Sequence, residues 1–129
     1  MIEQTDMVVD EWIYIPPATE IPADKITSGV ELEVMRKDAP TKKGLACRFT
    51  CRFLHGADAI LLYVAQDSYV IDLDEKIEPI EVHRMIQNSY TKFIEKYELR
   101  KLGTVLQNTP LPFFDERKLD ISDILHFLN

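Results

Sequence analysis

The chain has 129 residues, enough for one domain that buries a core without help from disulfides or a metal ion. Hydrophobic residues make up 46% and charged residues 29%, so the composition is that of a folded globular protein and excludes a disordered one. The formal charge of -7 repels phosphate backbones and anionic lipids, which disfavours non-specific binding of nucleic acid.

The beginning of the chain lacks the pattern of a secretory signal. Residues 1–6 have neither a basic start nor an apolar run, and no segment approaches the roughly 20 apolar residues of a membrane-spanning helix. Cys47 and Cys51 lie four positions apart in a predicted strand, so their Cα atoms are expected about 13 Å apart, too far for a disulfide. We therefore expect buried, reduced thiols, no membrane insertion and a cytoplasmic location.

Two strands are predicted in the first third of the chain. Residues 7–15 combine β-branched and aromatic side chains but are interrupted by Asp10 and Glu11, which is typical of an edge strand. The prolines between Pro16 and Pro22 cannot donate to a sheet and indicate a connecting loop. A second strand is predicted at 30–37, where apolar and charged side chains alternate.

Two longer strands follow, joined by a short turn that contains Gly56. Residues 44–54 alternate strictly, and residues 57–73 are almost entirely apolar as far as Ala65, which predicts an antiparallel pair with a central strand. Polar residues at 66–68 interrupt the second run, and we interpret them as a bulge or bend in one strand, or alternatively as a tight turn between two strands. The apolar face of the first run consists of Leu45, Cys47, Phe49, Cys51 and Phe53.

A long amphipathic helix is predicted at 79–102 and a short one at 121–128. Pro79 suits the first helical position, Gly103 suits the left-handed residue that ends a helix, and Asp120 is placed to cap the second helix. The apolar stripe of the long helix consists of Val82, Met85, Ile86, Tyr90, Phe93, Ile94 and Tyr97. Together the elements predict a single α+β domain over residues 1–129.

The titratable residues do not predict a reaction. The three histidines lack metal-ligand spacing, and the four glycines do not form a phosphate-binding loop, so we predict no metal, no cofactor and no catalytic residue. A group of carboxylates at the strand-to-helix junction is interpreted as a solvated capping region and not as a cation site. These carboxylates belong to Asp72, Asp74, Glu75 and Glu78.

Two features point to surfaces for binding. Arg48 and Arg52 lie on the face opposite the aromatic one, where Glu31 and Glu33 of the neighbouring strand are expected to neutralise them. Four aromatic side chains outside the central strands are candidates for lining a groove that holds an extended peptide, with core packing as the alternative use. These four are Trp12, Tyr14, Phe113 and Phe114.

The order of the elements resembles that of the SecB-like superfamily, which includes the bacterial protein-export chaperone SecB. The resemblance spans roughly Glu11 to Leu128. It is carried by Ile13-Tyr14-Ile15 in the first strand and by Leu61 to Leu73, which leads into the long helix. It continues in Leu111-Pro112-Phe113-Phe114, followed by the terminal segment 119–125.

This resemblance implies both an architecture and a function. The architecture is a four-stranded antiparallel sheet, with strands near 7–15, 30–37, 44–54 and 57–73, and with both helices on one face. The function is non-enzymatic binding of extended or unfolded polypeptide in apolar grooves, as a chaperone or as a holdase for one dedicated client. The resemblance also implies a homo-oligomer, either a dimer or a tetramer.

Two alternatives to a chaperone remain open at the level of the sequence. The same fold is suited to an interaction or scaffold subunit that binds a folded protein partner. A small-molecule binder is the third hypothesis, and it requires a pocket between sheet and helix lined by Tyr63, Tyr90 and a carboxylate. Neither the client or partner nor the oligomeric state follows from the sequence.

Overall fold

The computed structural model describes residues 2–107, 109–110, 113–115 and 119–129, with the backbone alone at Ala23. Leu111 and Pro112, part of the segment that carries the family resemblance, lie outside the described residues. Among the described helices, none has both the length and the apolarity needed to cross a membrane.

The described chain is an antiparallel sheet followed by two helices, which confirms the predicted α+β class. A one-turn 3-10 helix, Ala23–Lys25, leads into the third strand. The strands are β1 (Ile2–Gln4), β2 (Val8–Tyr14), β3 (Ile26–Arg36), β4 (Lys42–His55) and β5 (Asp58–Asp72), and the helices are α1 (Pro79–Lys101) and α2 (Ser122–Leu128).

The sheet has five strands in the described residues, one more than predicted. The additional strand is β1, which pairs antiparallel with β5 from Ile2 opposite Ile71 to Gln4 opposite Tyr69. Because β2 also pairs antiparallel with β5, farther along the same edge, the sheet is four strands wide with one edge strand in two pieces. β1 has only three residues, two of them polar, so it shows no alternation of apolar and polar side chains that would predict a strand.

The polar residues 66–68 are part of one continuous strand. Their pairing with β4 is unbroken, with Cys47 opposite Asp67, so the alternative of a turn between two strands is wrong. The register shift between β4 and β5 lies instead between Phe53 and Leu54. The polar side chains have partners in other parts of the chain: the Ser68 hydroxyl lies 3.0 Å from the Thr5 hydroxyl, where the edge strand is interrupted, and the Asp67 carboxylate accepts a hydrogen bond from the Ser89 hydroxyl at 2.7 Å.

The core lies between the sheet and α1. The predicted apolar face of β4 is fully buried there, and Cys47 and Cys51 are free thiols as expected. The Phe93 ring of α1 stacks on Phe49 at 5.1 Å and on Tyr63 at 5.0 Å between ring centroids. One row of aromatic rings therefore joins the helix to the two central strands.

The other face of the sheet is not covered by a described helix. Arg48 forms an ion pair with Asp10 of β2, and the Arg52 guanidinium lies 3.2 Å from the Glu31 carboxylate. The expected neutralisation by the neighbouring strand is thus found for Arg52, whereas Arg48 reaches across β5 to the edge strand. This face carries a mixture of ion pairs and half-buried apolar side chains.

Candidate functional site

The first two predicted groove residues lie at the edge strand β2. Trp12 is half-buried, and its ring packs edge-on against Tyr63 with 5.7 Å between ring centroids. Tyr14 accepts a hydrogen bond at its hydroxyl from the backbone N–H of Val105, at 3.2 Å. These contacts place both side chains on the sheet face that α1 covers, near the C-terminal end of that helix.

The other two predicted residues differ from each other in exposure. Phe114 is half-buried, with its ring 6.0 Å from Phe49 and 5.7 Å from Tyr90. Phe113 is 75% exposed and projects from the body of the domain. The structure therefore brings Phe114 onto the core and leaves Phe113 available at the surface.

A chain of ring contacts links the two halves of the predicted site. Trp12 contacts Tyr63, Tyr63 contacts Phe93, Phe93 contacts Phe49, and Phe49 contacts Phe114. The intervening rings are fully buried. Trp12 and Phe114 thus belong to one aromatic layer, at opposite ends of it, and the four predicted residues do not line one continuous cleft.

Two adjacent clefts lie beside the loop that follows β2. The larger, of about 540 Å³, is bounded by Ile15, the loop and the β4–β5 turn, which contributes His55 and Asp58. The second, of about 440 Å³, is lined by the same loop together with Ile26 and Val105. Four loop residues line both clefts, so the loop is a wall that they share: Pro17, Ala18, Thr19 and Ile21. Sequence reasoning interpreted this loop as a connection only, although its paired prolines and flanking isoleucines signalled an apolar, extended surface.

The two tyrosines proposed to line a small-molecule pocket lie in different surroundings, one in the core and one at a surface cleft. Tyr63 is fully buried among the rings of the core. Tyr90 lies at the surface beside Phe114, where a separate cleft of about 330 Å³ opens between α1 and the segment that carries Phe114. The structure does not bring these two tyrosines together in one described cleft.

The thiols and the buried Asp67 carboxylate lie in the core of the described part of the chain. That part contains no group of three histidine, cysteine or acidic side chains placed to hold a metal ion. Burial raises the pKa of the Cys47 and Cys51 thiols to about 12, so both are protonated and poorly nucleophilic at neutral pH. The buried Asp67 carboxylate accepts hydrogen bonds from Gln4 at 2.7 Å and from the Ser89 hydroxyl at 2.7 Å, which ties β1 and α1 to β5.

Two buried hydroxyls are unusual for a core of this kind. The hydroxyls of Tyr63 and Tyr97 have no hydrogen-bond partner in the described part of the structure, whereas the Tyr69 hydroxyl donates to the Met85 carbonyl at 2.8 Å. A buried polar atom without a partner costs free energy that a paired one does not.

Removal of a tyrosine hydroxyl should therefore affect the free energy of unfolding differently at the two unpaired positions and at Tyr69. Tyr63→Phe and Tyr97→Phe are expected to leave the free energy of unfolding unchanged or to raise it by up to about 1 kcal/mol, because the desolvation cost disappears. Tyr69→Phe is the matched control, expected to lower it by about 1 kcal/mol through the loss of a hydrogen bond. Urea denaturation of the three variants checks this, and a loss above about 1 kcal/mol in Tyr63→Phe would contradict it.

The architecture has a counterpart among solved structures. It is similar to the SecB-like chaperone Rv1957 of Mycobacterium tuberculosis, whose structure is a complex with a ChAD peptide from the Rv1956 HigA1 antitoxin. The similarity covers 88% of each chain, with a TM-score of 0.51 and 14% sequence identity. The chain has a SecB-like fold. At this identity the likeness concerns the fold, and it confirms the fold relationship that the order of elements predicted.

Other comparisons add little to the SecB-like fold. A protein of unknown function from Streptococcus agalactiae aligns over 89% of this chain and 98% of its own, with a TM-score of 0.45 and 10% identity. Neither a protein-family model nor a curated protein sequence matches the chain. The SecB-like fold is therefore recognised from structure and from the order of elements, and not from sequence identity.

Proposed function

We propose that this protein binds extended, unfolded polypeptide without catalysing a reaction, as a general holdase or for one dedicated client. The observation that carries the proposal is the SecB-like fold, which over 88% of both chains is shared with a chaperone seen in complex with a peptide. Apolar surface outside the core supports it, because unfolded segments are recognised through such surface.

Three exposed or half-open regions are the proposed contact sites. Phe113, with its exposed ring, and the half-buried Phe114 beside the cleft at Tyr90 form one region. Trp12 and Tyr14 at the edge strand form another. The paired clefts beside Pro17 to Ile21 form the third, and their apolar walls suit side chains of an extended peptide.

We also propose where the protein acts, how it assembles and which partners it has. A cytoplasmic location and assembly into a dimer or tetramer follow from the resemblance to SecB-like proteins. A cofactor is not required, and nucleic acid is disfavoured as a partner by the charge of -7. The second candidate function, a scaffold subunit, uses the same apolar surface for one folded protein.

Suppression of aggregation tests the proposal. An unfolded test protein diluted into buffer is expected to scatter less light when this protein is present at a near-stoichiometric ratio. Phe113→Asp is expected to weaken the suppression, since it places a charge in a proposed contact site. Ile80→Asp is the matched control, because Ile80 is 64% exposed in the first turn of α1, where an acidic residue is favourable.

The outcomes distinguish the two candidate functions. Absence of suppression together with absence of peptide binding would refute the chaperone proposal. Capture of one dominant folded protein from native cells, with no activity towards unfolded chains, would favour the scaffold subunit.

A further inference from the structure

A cleft of about 330 Å³ lies between the N-terminal strand and the first half of α1. Strand β1 contributes Ile2 and Gln4 to its lining, and α1 contributes Glu81, Arg84 and Asn88. The three helical residues are spaced by three and four positions, so they form one stripe on the side of α1 that faces β1. This cleft is separate from the contact sites proposed for unfolded polypeptide.

The deeper part of the cleft is apolar. Tyr69 and Met85 line it and are buried, and the Tyr69 hydroxyl already donates to the Met85 carbonyl at 2.8 Å. Ile2 is half-buried and packs against the core from the β1 side. The volume lies at the lower end of the range of small-molecule sites, which begins at about 300 Å³. One apolar group of the size of an amino-acid side chain can therefore contact these three side chains together.

The rim of the cleft carries one charge of each sign. Arg84 is exposed, and no carboxylate of a described residue lies within ion-pair distance of its guanidinium. Glu81 is half-buried and accepts the backbone N–H of Glu78 at 3.2 Å through its Oε1 atom, which leaves Oε2 for a ligand. Side chains three positions apart on a helix have Cβ atoms about 5–6 Å from each other. The two charges are thus close enough to pair with the two ends of one small ion.

We propose that the cleft between β1 and α1 binds a free α-amino acid with an apolar side chain. The ligand's carboxylate pairs with the Arg84 guanidinium, and its ammonium group pairs with the Glu81 carboxylate. Its side chain packs on Ile2, Tyr69 and Met85. This activity is additional to the binding of unfolded polypeptide and does not depend on it.

Charge favours a free amino acid over other small ligands. Of the residues that line the cleft, only Arg84 is cationic and only Glu81 is anionic, so a zwitterion leaves neither charge unpaired. A nucleotide would bring several negative charges to one cation on a chain whose formal charge is -7. A peptide carries its terminal ammonium and carboxylate on different residues. Only a free amino acid places both groups within reach of the two side chains.

Binding in this cleft is coupled to the docking of β1. Strand β1 pairs with β5 through three residues only, and the Gln4 side chain donates to the buried Asp67 carboxylate at 2.7 Å. A ligand that contacts Ile2 and α1 together binds only while β1 is docked, so it stabilises the docked state by mass action. Deuterium exchange of the β1 backbone amides should therefore slow when the ligand is present.

Titration calorimetry with L-leucine and three related compounds tests each part of the ligand. For leucine we expect binding to one site with a Kd between about 10 µM and 1 mM, as suits a ligand of nine heavy atoms. N-acetyl-L-leucine lacks the ammonium charge and L-leucinamide lacks the carboxylate, so each should bind about tenfold more weakly or worse. Glycine lacks the side chain and should also bind about tenfold more weakly or worse.

Two substitutions test the charged side chains one at a time. Glu81→Gln keeps a side-chain oxygen that accepts the Glu78 N–H, so the start of α1 is preserved, and it should remove the preference for leucine over N-acetyl-L-leucine. Arg84→Gln changes an exposed side chain and should remove the preference for leucine over L-leucinamide. Lys96→Gln, on the same helix but outside the cleft, is the matched control and should leave both preferences unchanged.

Three results would overturn the inference. The first is an absence of saturable binding for leucine, methionine and phenylalanine alike. The second is equal binding of leucine, N-acetyl-L-leucine and L-leucinamide, which would show that neither charge is recognised. The third is unchanged leucine binding in both Glu81→Gln and Arg84→Gln, which would place the ligand in another cleft. Suppression of aggregation tests the proposed function separately, so either proposal can fail without the other.

Discussion

Replacement of Phe93 by alanine is expected to lower the free energy of unfolding by about 3–5 kcal/mol. Phe93 is fully buried and lies between Phe49 and Tyr63, with ring-centroid distances of 5.1 and 5.0 Å. Its removal leaves a cavity at the point where α1 contacts both central strands. Because the neighbouring rings are held by the sheet, they can collapse into that cavity only in part.

Chemical denaturation of the variant measures this effect. The matched control is Leu99→Ala on the same helix, where the side chain is 73% exposed and the change should stay within about 0.5 kcal/mol. If Phe93→Ala lowered the free energy of unfolding by less than about 1.5 kcal/mol, the packing of the aromatic row would not be a main source of the stability of the core.

Replacement of Gly44 by alanine is expected to lower the free energy of unfolding by about 3 kcal/mol. A Cβ at this position would overlap the carbonyl oxygen of Lys37 and lie 2.8 Å from its carbonyl carbon, with the Tyr69 carbonyl oxygen at 3.3 Å. These are backbone atoms of Lys37, directly after β3, and of Tyr69 in β5, so the backbone itself must shift. The close approach, and not a special backbone conformation, is what requires glycine here.

Gly29 provides the control for that prediction. It lies in the neighbouring strand β3, and a Cβ built there meets no atom within 4 Å. Gly29→Ala is therefore expected to be neutral or to stabilise by up to about 1 kcal/mol, because alanine has less conformational freedom to lose on folding. Thermal and urea denaturation of the two variants test the difference, and similar stabilities would contradict it.

The central elements could be predicted from the sequence because their periodicity is strong. The alternation of 44–54, the apolar stripe of α1 and the punctuation by Gly56 and Gly103 all gave correct elements, and both glycines have positive φ angles of 60° and 83°. The strand β1 could not be predicted, because it depends on pairing with β5, 65 to 69 residues away in the chain, and not on its own three residues.

The polar interruption at 66–68 shows why local patterns mislead inside a sheet. Aspartate is uncommon in strands, so Asp67 indicated a bend. It nevertheless lies in a continuous strand, because the Gln4 and Ser89 side chains donate hydrogen bonds to its carboxylate. Both partners belong to other elements. Tertiary contacts thus satisfy a polar side chain inside the strand, where the local pattern indicated a bulge, a bend or a turn.

The sequence indicated which residue types form the candidate site, but not how these residues are arranged in space. Aromatic residues outside the central strands were identified by their chemistry, but only the structure shows that Trp12 and Phe114 lie at opposite ends of one buried layer. The clefts beside Pro17 to Ile21 require the loop, the β4–β5 turn and Val105 to meet in space. Such a meeting of distant segments has no periodic signature in the sequence.

The most direct test of the proposed function is titration calorimetry with a protein that cannot refold. The ligand is a reduced, carboxymethylated protein, and its native, disulfide-bonded form is the matched control. The proposed function predicts binding of the unfolded form with a Kd of about micromolar or tighter and no binding of the native form. Equal binding of both forms, or no binding of either, would contradict it.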